Sequence, residues 1–170
     1  TLVKNAVAAH GNTLSKFDST YRHSKVTAII DSSDASIISS INTIRVRRKL
    51  QLISNVDSNY SVNFYNPIAA SNTSTFYSTR FYLYGYDDRG YLKNNGTSID
   101  FYTEDSAGTP FFMKTVGSLD YNGIITLQNL NIVSMYDDYL EFVFYPSSYD
   151  VLPPNGSIIR ILNEKIKVNV

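Results

Sequence analysis

Two imidazoles, some paired carboxylates and a run of cations are the side chains of this sequence whose types could do chemistry. His10 and His23 are the only imidazole bases available to activate one of the many serines. Such catalysis needs hydroxyl, base and a third orienting group held together. No serine stands in the Gly-x-Ser-x-Gly turn that exposes a nucleophile. His10 falls at the end of an expected helix and His23 at the start of an expected strand, so a structural histidine is the simpler reading of each. The pairs Asp87-Asp88, Glu104-Asp105 and Asp137-Asp138 could work as acid and base or bind calcium. Each lies in a stretch that reads as a turn, beside Gly, Ser or Tyr, and none has EF-hand spacing.

Arg45, Arg47 and Lys49 alternate along one face of an expected strand, where they could meet an acidic partner surface. Positive charge also keeps an edge strand from aberrant pairing. Arg48 intrudes on the apolar face of the same strand and therefore wants a partner of its own. The run Phe81-Tyr82-Leu83-Tyr84-Gly85-Tyr86 could present a row of rings to sugars or to a protein, or could line the boundary of a core. Glycine-rich phosphate loops, histidine clusters with metal spacing and basic amphipathic helices are missing from the sequence. The Asn-x-Ser/Thr sequons at Asn59, Asn72, Asn95 and Asn155 are what chance gives in so Asn- and Ser-rich a chain.

These residues must be carried by a chain of 170 residues, long enough for its own core. Its 15 basic and 15 acidic side chains cancel, which gives no support for nucleic-acid or anionic-membrane binding. The absence of cysteine rules out disulfides and thiolate metal sites. No apolar run approaches the roughly 20 residues of a membrane span, and membrane insertion is not expected. Fourteen Tyr and nine Phe with no Trp, among many Ser, Asn and Thr, favour half-buried strands and polar turns.

Leu2, Val3, Ala6 and Val7 repeat at helical spacing, with Gly11 placed to cap the helix end. The helix begins at the first residue, so the chain is expected to be a fragment of something longer. Val26, Ala28 and Ile30 alternate like a strand; Ser32, Ser33 and Asp34 offer helix N-caps, and Ile37, Ile38 and Ile41 share a helical face. From Thr43 the period is two again, with Ile44, Val46, Leu50 and Leu52 on one side. Those periods predict a strand–helix–strand unit. The polar stretch Ser54 to Asn59 then divides residues 1–53 from residues 54–170.

Beyond it the sequence reads as β: Tyr60 to Phe64, Phe76 to Asp87, Ile99 to Thr103, Glu141 to Tyr145, Ser157 to Leu162 and Glu164 to Val170. Asn122-Gly123, between Leu119-Asp120-Tyr121 and Ile124 to Leu127, is the strongest hairpin signal. The fold class expected is α+β: a small strand–helix–strand unit followed by a mainly antiparallel, β-sandwich-like domain.

Three segments carry a resemblance. They are Phe17-Asp18-Ser19-Thr20-Tyr21-Arg22 leading through Ser24-Lys25-Val26 to Ile30-Asp31-Ser32-Ser33-Asp34; Gly117 to Ile124 followed by Leu127 and Leu130; and Asp150 to Pro154 through Ile158 to Leu162 and on to Val170. Taken in this order they resemble the C-terminal part of the baseplate wedge family of T4-like contractile-tailed phages. The tract Asn66 to Tyr77 carries none of that pattern. The resemblance implies a structural protein of the virion baseplate, assembled in the host cytoplasm. It implies partners of two kinds, a homodimer or ring of the chain itself and other baseplate wedge proteins, with no catalysis and no cofactor. On this reading the first contact surface is the N-terminal helix (Leu2, Val3, Val7) and the second is the basic strand (Arg45, Arg47, Arg48, Lys49). A β-sandwich binding module, an adhesin or carbohydrate-binding domain using Tyr82 to Tyr86, is the alternative, and a hydrolase using the acidic turns is a third.

Overall fold

The computed structural model describes residues 2–71, 74–147 and 150–168. In chain order the first elements are α1 (Leu2–Thr13), β1 (Tyr21–Arg22), α2 (His23–Asp31), β2 (Val46–Leu50), β3 (Ser58–Asn63), β4 (Phe76–Ser78) and β5 (Phe81–Leu83). They continue as β6 (Gly90–Asn95), β7 (Ser98–Glu104), β8 (Pro110–Asp120), β9 (Ile124–Leu130), β10 (Ile132–Met135), β11 (Leu140–Phe144) and β12 (Asp150–Val151). The chain is thus α+β with β predominant, helices first and an antiparallel sheet after them. It forms two compact units, residues 1–44 with 148–170, and residues 45–147. The sequence divides the chain at 53/54, whereas the second unit begins at Arg45, because β2 is held along its length by β11.

In the first unit α1 packs on α2, and β1 pairs antiparallel with β12. Gly11 does not end α1 as expected; the helix runs through it to Thr13. A methyl group at Gly11 would stand 3.2 Å from Ile161 Cβ, so the glycine serves close packing rather than a cap.

The strand expected at Val26–Ile30 is helix α2, and the helix expected from Ile37 to Ile41 does not form. Val26 is buried, and this packing overrides the weak preference of β-branched residues against helix. The start of α2 has no side-chain cap from its own sequence. The Asp150 carboxylate accepts the His23 amide hydrogen at 3.3 Å and supplies that missing cap from far along the chain. Ser32 is the C-cap of α2 instead of an N-cap. Asp34 accepts the Ser36 amide at 2.9 Å in a local turn that goes no further. With nothing to pack on, Ile38 and Ile41 stand almost fully exposed, and helix propensity alone does not hold a short segment.

The second unit is a ten-stranded antiparallel sheet in the order β2-β11-β4-β6-β7-β8-β9-β3, with β5 joined to β6 and β10. Inward positions on β11 (Leu140, Phe142, Phe144) and β6 (Leu92) are fully buried, alternating with half-buried neighbours. Phe76 stacks on Phe142 with ring centroids 5.4 Å apart, and Phe64, just past β3, lies 4.7 Å from Phe144. Each such ring, fully removed from water, contributes roughly 1.5–3 kcal/mol. The sheet curls so that its terminal strands approach each other. Residues 64–69 close one end: Phe64 N–H donates to Gly123 O at 2.7 Å, Ile68 N–H to Tyr121 O at 2.9 Å and Ala69 N–H to Tyr145 O at 2.8 Å.

The hairpin expected at Asn122-Gly123 joins β8 to β9, through a loop of three residues rather than two. Gly123 takes φ 99°, the left-handed region open to glycine, and a Cβ there would collide with Asn66 O. The expected strand at Ser157–Leu162 has no regular structure, and Asn163–Lys165 forms a short 3-10 turn. The end of the strand expected to reach Val170 lies outside the described residues.

Candidate functional site

β2 places its side chains in the alternation the sequence implied. Val46, Arg48 and Leu50 lie opposite Phe144, Phe142 and Leu140 and so share the inward face; Arg47 and Lys49 share the outward one. Each outward cation meets a partner within the unit. Arg47 Nη1 donates to Glu141 Oε2 at 2.8 Å. Lys49 Nζ donates to Tyr139 Oη at 2.6 Å, which is the main reason its pKa is raised. Arg45 lies over the Tyr145 ring at 5.1 Å. Arg48 donates to the main-chain carbonyl of Asn63 at the end of β3 and lies 5.7 Å from the Tyr65 ring.

The apolar residues of α1 divide by depth. Val7 is turned into the first unit, Val3 is half-buried, and Leu2 stays exposed.

The residues that could have done chemistry are not brought together. His10 is buried on α1, where Thr13 Oγ1 donates to His10 O at 2.8 Å and lies 3.2 Å from His10 Nδ1. With the hydroxyl hydrogen committed to the carbonyl, His10 Nδ1 is the donor of the second bond and Nε2 the bare nitrogen. Burial, with Lys25 adding to it, lowers the His10 pKa below its ordinary value. His23 opens α2, with its amide on Asp150.

Among the carboxylates, Glu104 pairs with Arg80, and Asp105 accepts the Ala107 and Thr109 amides at 2.9 and 2.8 Å. Those turn amides, Thr109 first, hold the Asp105 carboxyl below its usual pKa. Asp87, Asp88, Asp137 and Asp138 are exposed turn residues. Among the described residues no three His, Asp or Glu side chains are grouped to hold a metal ion.

Tyr82, Tyr84 and Tyr86 do not form a row. Arg89 lies over Tyr82 at 5.3 Å and over Tyr136 at 5.8 Å. Tyr84 is exposed, Gly85 turns the chain at φ 85°, and Tyr86 packs on the core ring of Phe101 at 5.4 Å.

The row that does exist was not legible in the sequence. Tyr91 on β6 is paired in register with Tyr102 on β7, and Tyr102 with Phe112 on β8. Their ring centroids are 6.2 and 6.0 Å apart, and Lys93 lies 4.9 Å from the Tyr102 centroid. These rings stand against one another with a cation on one face, which leaves little open ring face for a sugar.

The row ends at the most apolar exposed stretch of the unit, Phe111, Phe112 and Met113, each more than a third accessible. β9 pairs with β8 only over Gly117–Asp120, so beyond it β8 is bonded to β7 alone among the described residues. Two bulges in this stretch, at Met113 and Val116, bend it. The only sequence signal was the apolar triplet after Pro110, and nothing local marked it as exposed. In comparisons with protein-family models and with curated proteins, the chain matches none.

Proposed function

We propose that the chain is a structural protein that works by protein–protein assembly, as a part of a contractile phage tail baseplate that joins wedges to one another and to neighbouring wedge proteins. The observation that carries this reading is the exposed Phe111-Phe112-Met113 stretch on the one-sided part of β8. Two phenylalanines and a methionine in a row, accessible on both faces of a strand, are a surface that water disfavours and a partner would cover. The resemblance of residues 17–34, 117–130 and 150–162 to the baseplate wedge family supports the setting. The reading includes no catalytic step and no cofactor.

The basic strand contributes less to this proposal than its composition suggests. Arg47 and Lys49 are engaged by Glu141 and Tyr139, so a partner would have to displace those contacts. Leu2 on α1 remains available as a second contact. The test replaces Phe111 and Phe112 together by Ser and measures mass by light scattering and incorporation into wedge assemblies. Loss of assembly with an unchanged unfolding midpoint supports the reading. Unchanged mass and unchanged incorporation would sink it.

A further inference from the structure

We propose that Asn95-Gly96, at the tip of the β6–β7 hairpin, is a site of spontaneous deamidation that the fold leaves open while it shields the Asn-Gly pairs at 122–123 and 155–156. The chemistry needs only the chain and water. The Gly96 amide nitrogen, on losing its proton, attacks the Asn95 Cγ; a C–N bond forms and ammonia leaves, giving a cyclic imide. Water then opens the ring at either carbonyl, leaving aspartate or isoaspartate at position 95. Glycine after asparagine allows this because no Cβ hinders the approach of its nitrogen.

The three pairs have the same two residues but differ in what holds the glycine amide. Gly123 N–H donates to Asp120 O at 2.9 Å, and the Asn122 carboxamide is itself held by Asp120 Oδ1 at 2.9 Å. Gly156 N–H donates to Asp18 Oδ1 at 2.9 Å, while Asp18 N–H donates back to Ser157 O at 3.1 Å. A donated amide is less acidic and is pinned away from its own neighbour's carboxamide. Gly96 N–H and the Asn95 carboxamide make no hydrogen bond to a described residue, and both residues are exposed.

The consequence is local and structural. Isoaspartate adds one methylene to the main chain inside a two-residue turn whose Gly96 has φ 58°. That turn accepts the Asn94 carboxamide at Gly96 O, 3.1 Å, and the Leu119 amide at Thr97 O, 2.7 Å. The modification therefore loosens the tip of the hairpin with age.

The whole 170-residue chain is incubated in mildly alkaline buffer, folded and in denaturant, and mapped by peptide mass spectrometry with isoaspartate detection. In the folded chain Asn95 converts at least about tenfold faster than Asn122 and Asn155, whereas in denaturant the three rates converge. Asn122 or Asn155 keeping pace with Asn95 in the folded chain, or Asn95 staying intact there, overturns the proposal. Asp18→Gly, which suits the φ of 57° at that position, frees the Gly156 amide. It should speed Asn155 alone, and an unchanged Asn155 rate in the folded variant also counts against the proposal. If the variant unfolds, the comparison in the wild-type chain decides.

Discussion

Arg48, on β2 at one end of the curled sheet, donates a hydrogen bond to the carbonyl oxygen of Asn63, on β3 at the other end. Among the described residues β2 and β3 each have a neighbour on only one side, and this side chain spans the seam between them. The same guanidinium lies over Tyr65, so Arg48 touches β3 and the segment just beyond it. An arginine on the inward face of a strand is thereby given the acceptor it needs without a carboxylate. Arg48→Met keeps much of the stem and removes the donors. It should lower the unfolding free energy by about 1 kcal/mol, since the group is only half-buried. Urea unfolding followed by tyrosine fluorescence reads the change, and a midpoint equal to wild type would show that the seam needs no bridge.

Asn94 ties β6 to the approach to β4. Its Oδ1 accepts the Thr75 and Phe76 amides at 2.8 and 3.0 Å, and its Nδ2 reaches Gly96 O. The residue is 1% exposed, so Asn94→Ala strands two buried donors where water does not easily follow. A loss of about 2–4 kcal/mol is expected. Asn94→Asp keeps the acceptor for both amides, but it buries a charge and turns a second oxygen that cannot donate towards Gly96 O, so at neutral pH it should recover little of that loss. Denaturant curves of the two variants at neutral pH make the comparison.

Gly123 and Gly108 separate two costs of a side chain at positive φ. At Gly108, with φ 81°, a Cβ meets nothing, so Gly108→Ala should cost about 1–2 kcal/mol from backbone strain alone. At Gly123 the Cβ also collides with Asn66 O, which is main chain and cannot swing aside. Gly123→Ala should therefore cost distinctly more than Gly108→Ala. Equal thermal midpoints for the two variants would mean that residues 64–68 shift freely.

The contrast between these positions shows what could be read from the chain. Asn122-Gly123 declared its hairpin because the turn chemistry is local, and Val46, Leu50 and Leu52 declared an inward face through a period of two. Arg48 could be recognised as needing a partner, but Asn63 could not be named, since a carbonyl oxygen has no signature in a sequence. Val26–Ile30 failed for a related reason. Its alternation suits a strand, yet α1 on one side and the Asp150 cap on the helix start make it a helix. Tyr91, Tyr102 and Phe112 are one row only through the register of three strands, which the two bulges in β8 shift further.

His10 gives the first unit a pH dependence whose direction follows from its surroundings. In the folded chain burial, and then Lys25, keeps its pKa below the ordinary value, while in the unfolded chain it titrates near that ordinary value, about 6.5. Above that value both forms are neutral and the packing of α1 contributes fully. As the pH falls below it, the unfolded chain takes up the proton first, so the balance moves towards unfolding. The decline ends only once the folded imidazole also protonates. Protonation puts a hydrogen on Nε2, which is buried with no acceptor among the described residues, and a positive charge beside Lys25. Helical circular dichroism during thermal unfolding, between about pH 7.5 and 5, should show the midpoint falling as the solution is acidified. His10→Gln has no proton to take up, so the part of that slope due to His10 should vanish, whatever the variant's stability at neutral pH. A slope that persists undiminished in His10→Gln would place the titrating group elsewhere.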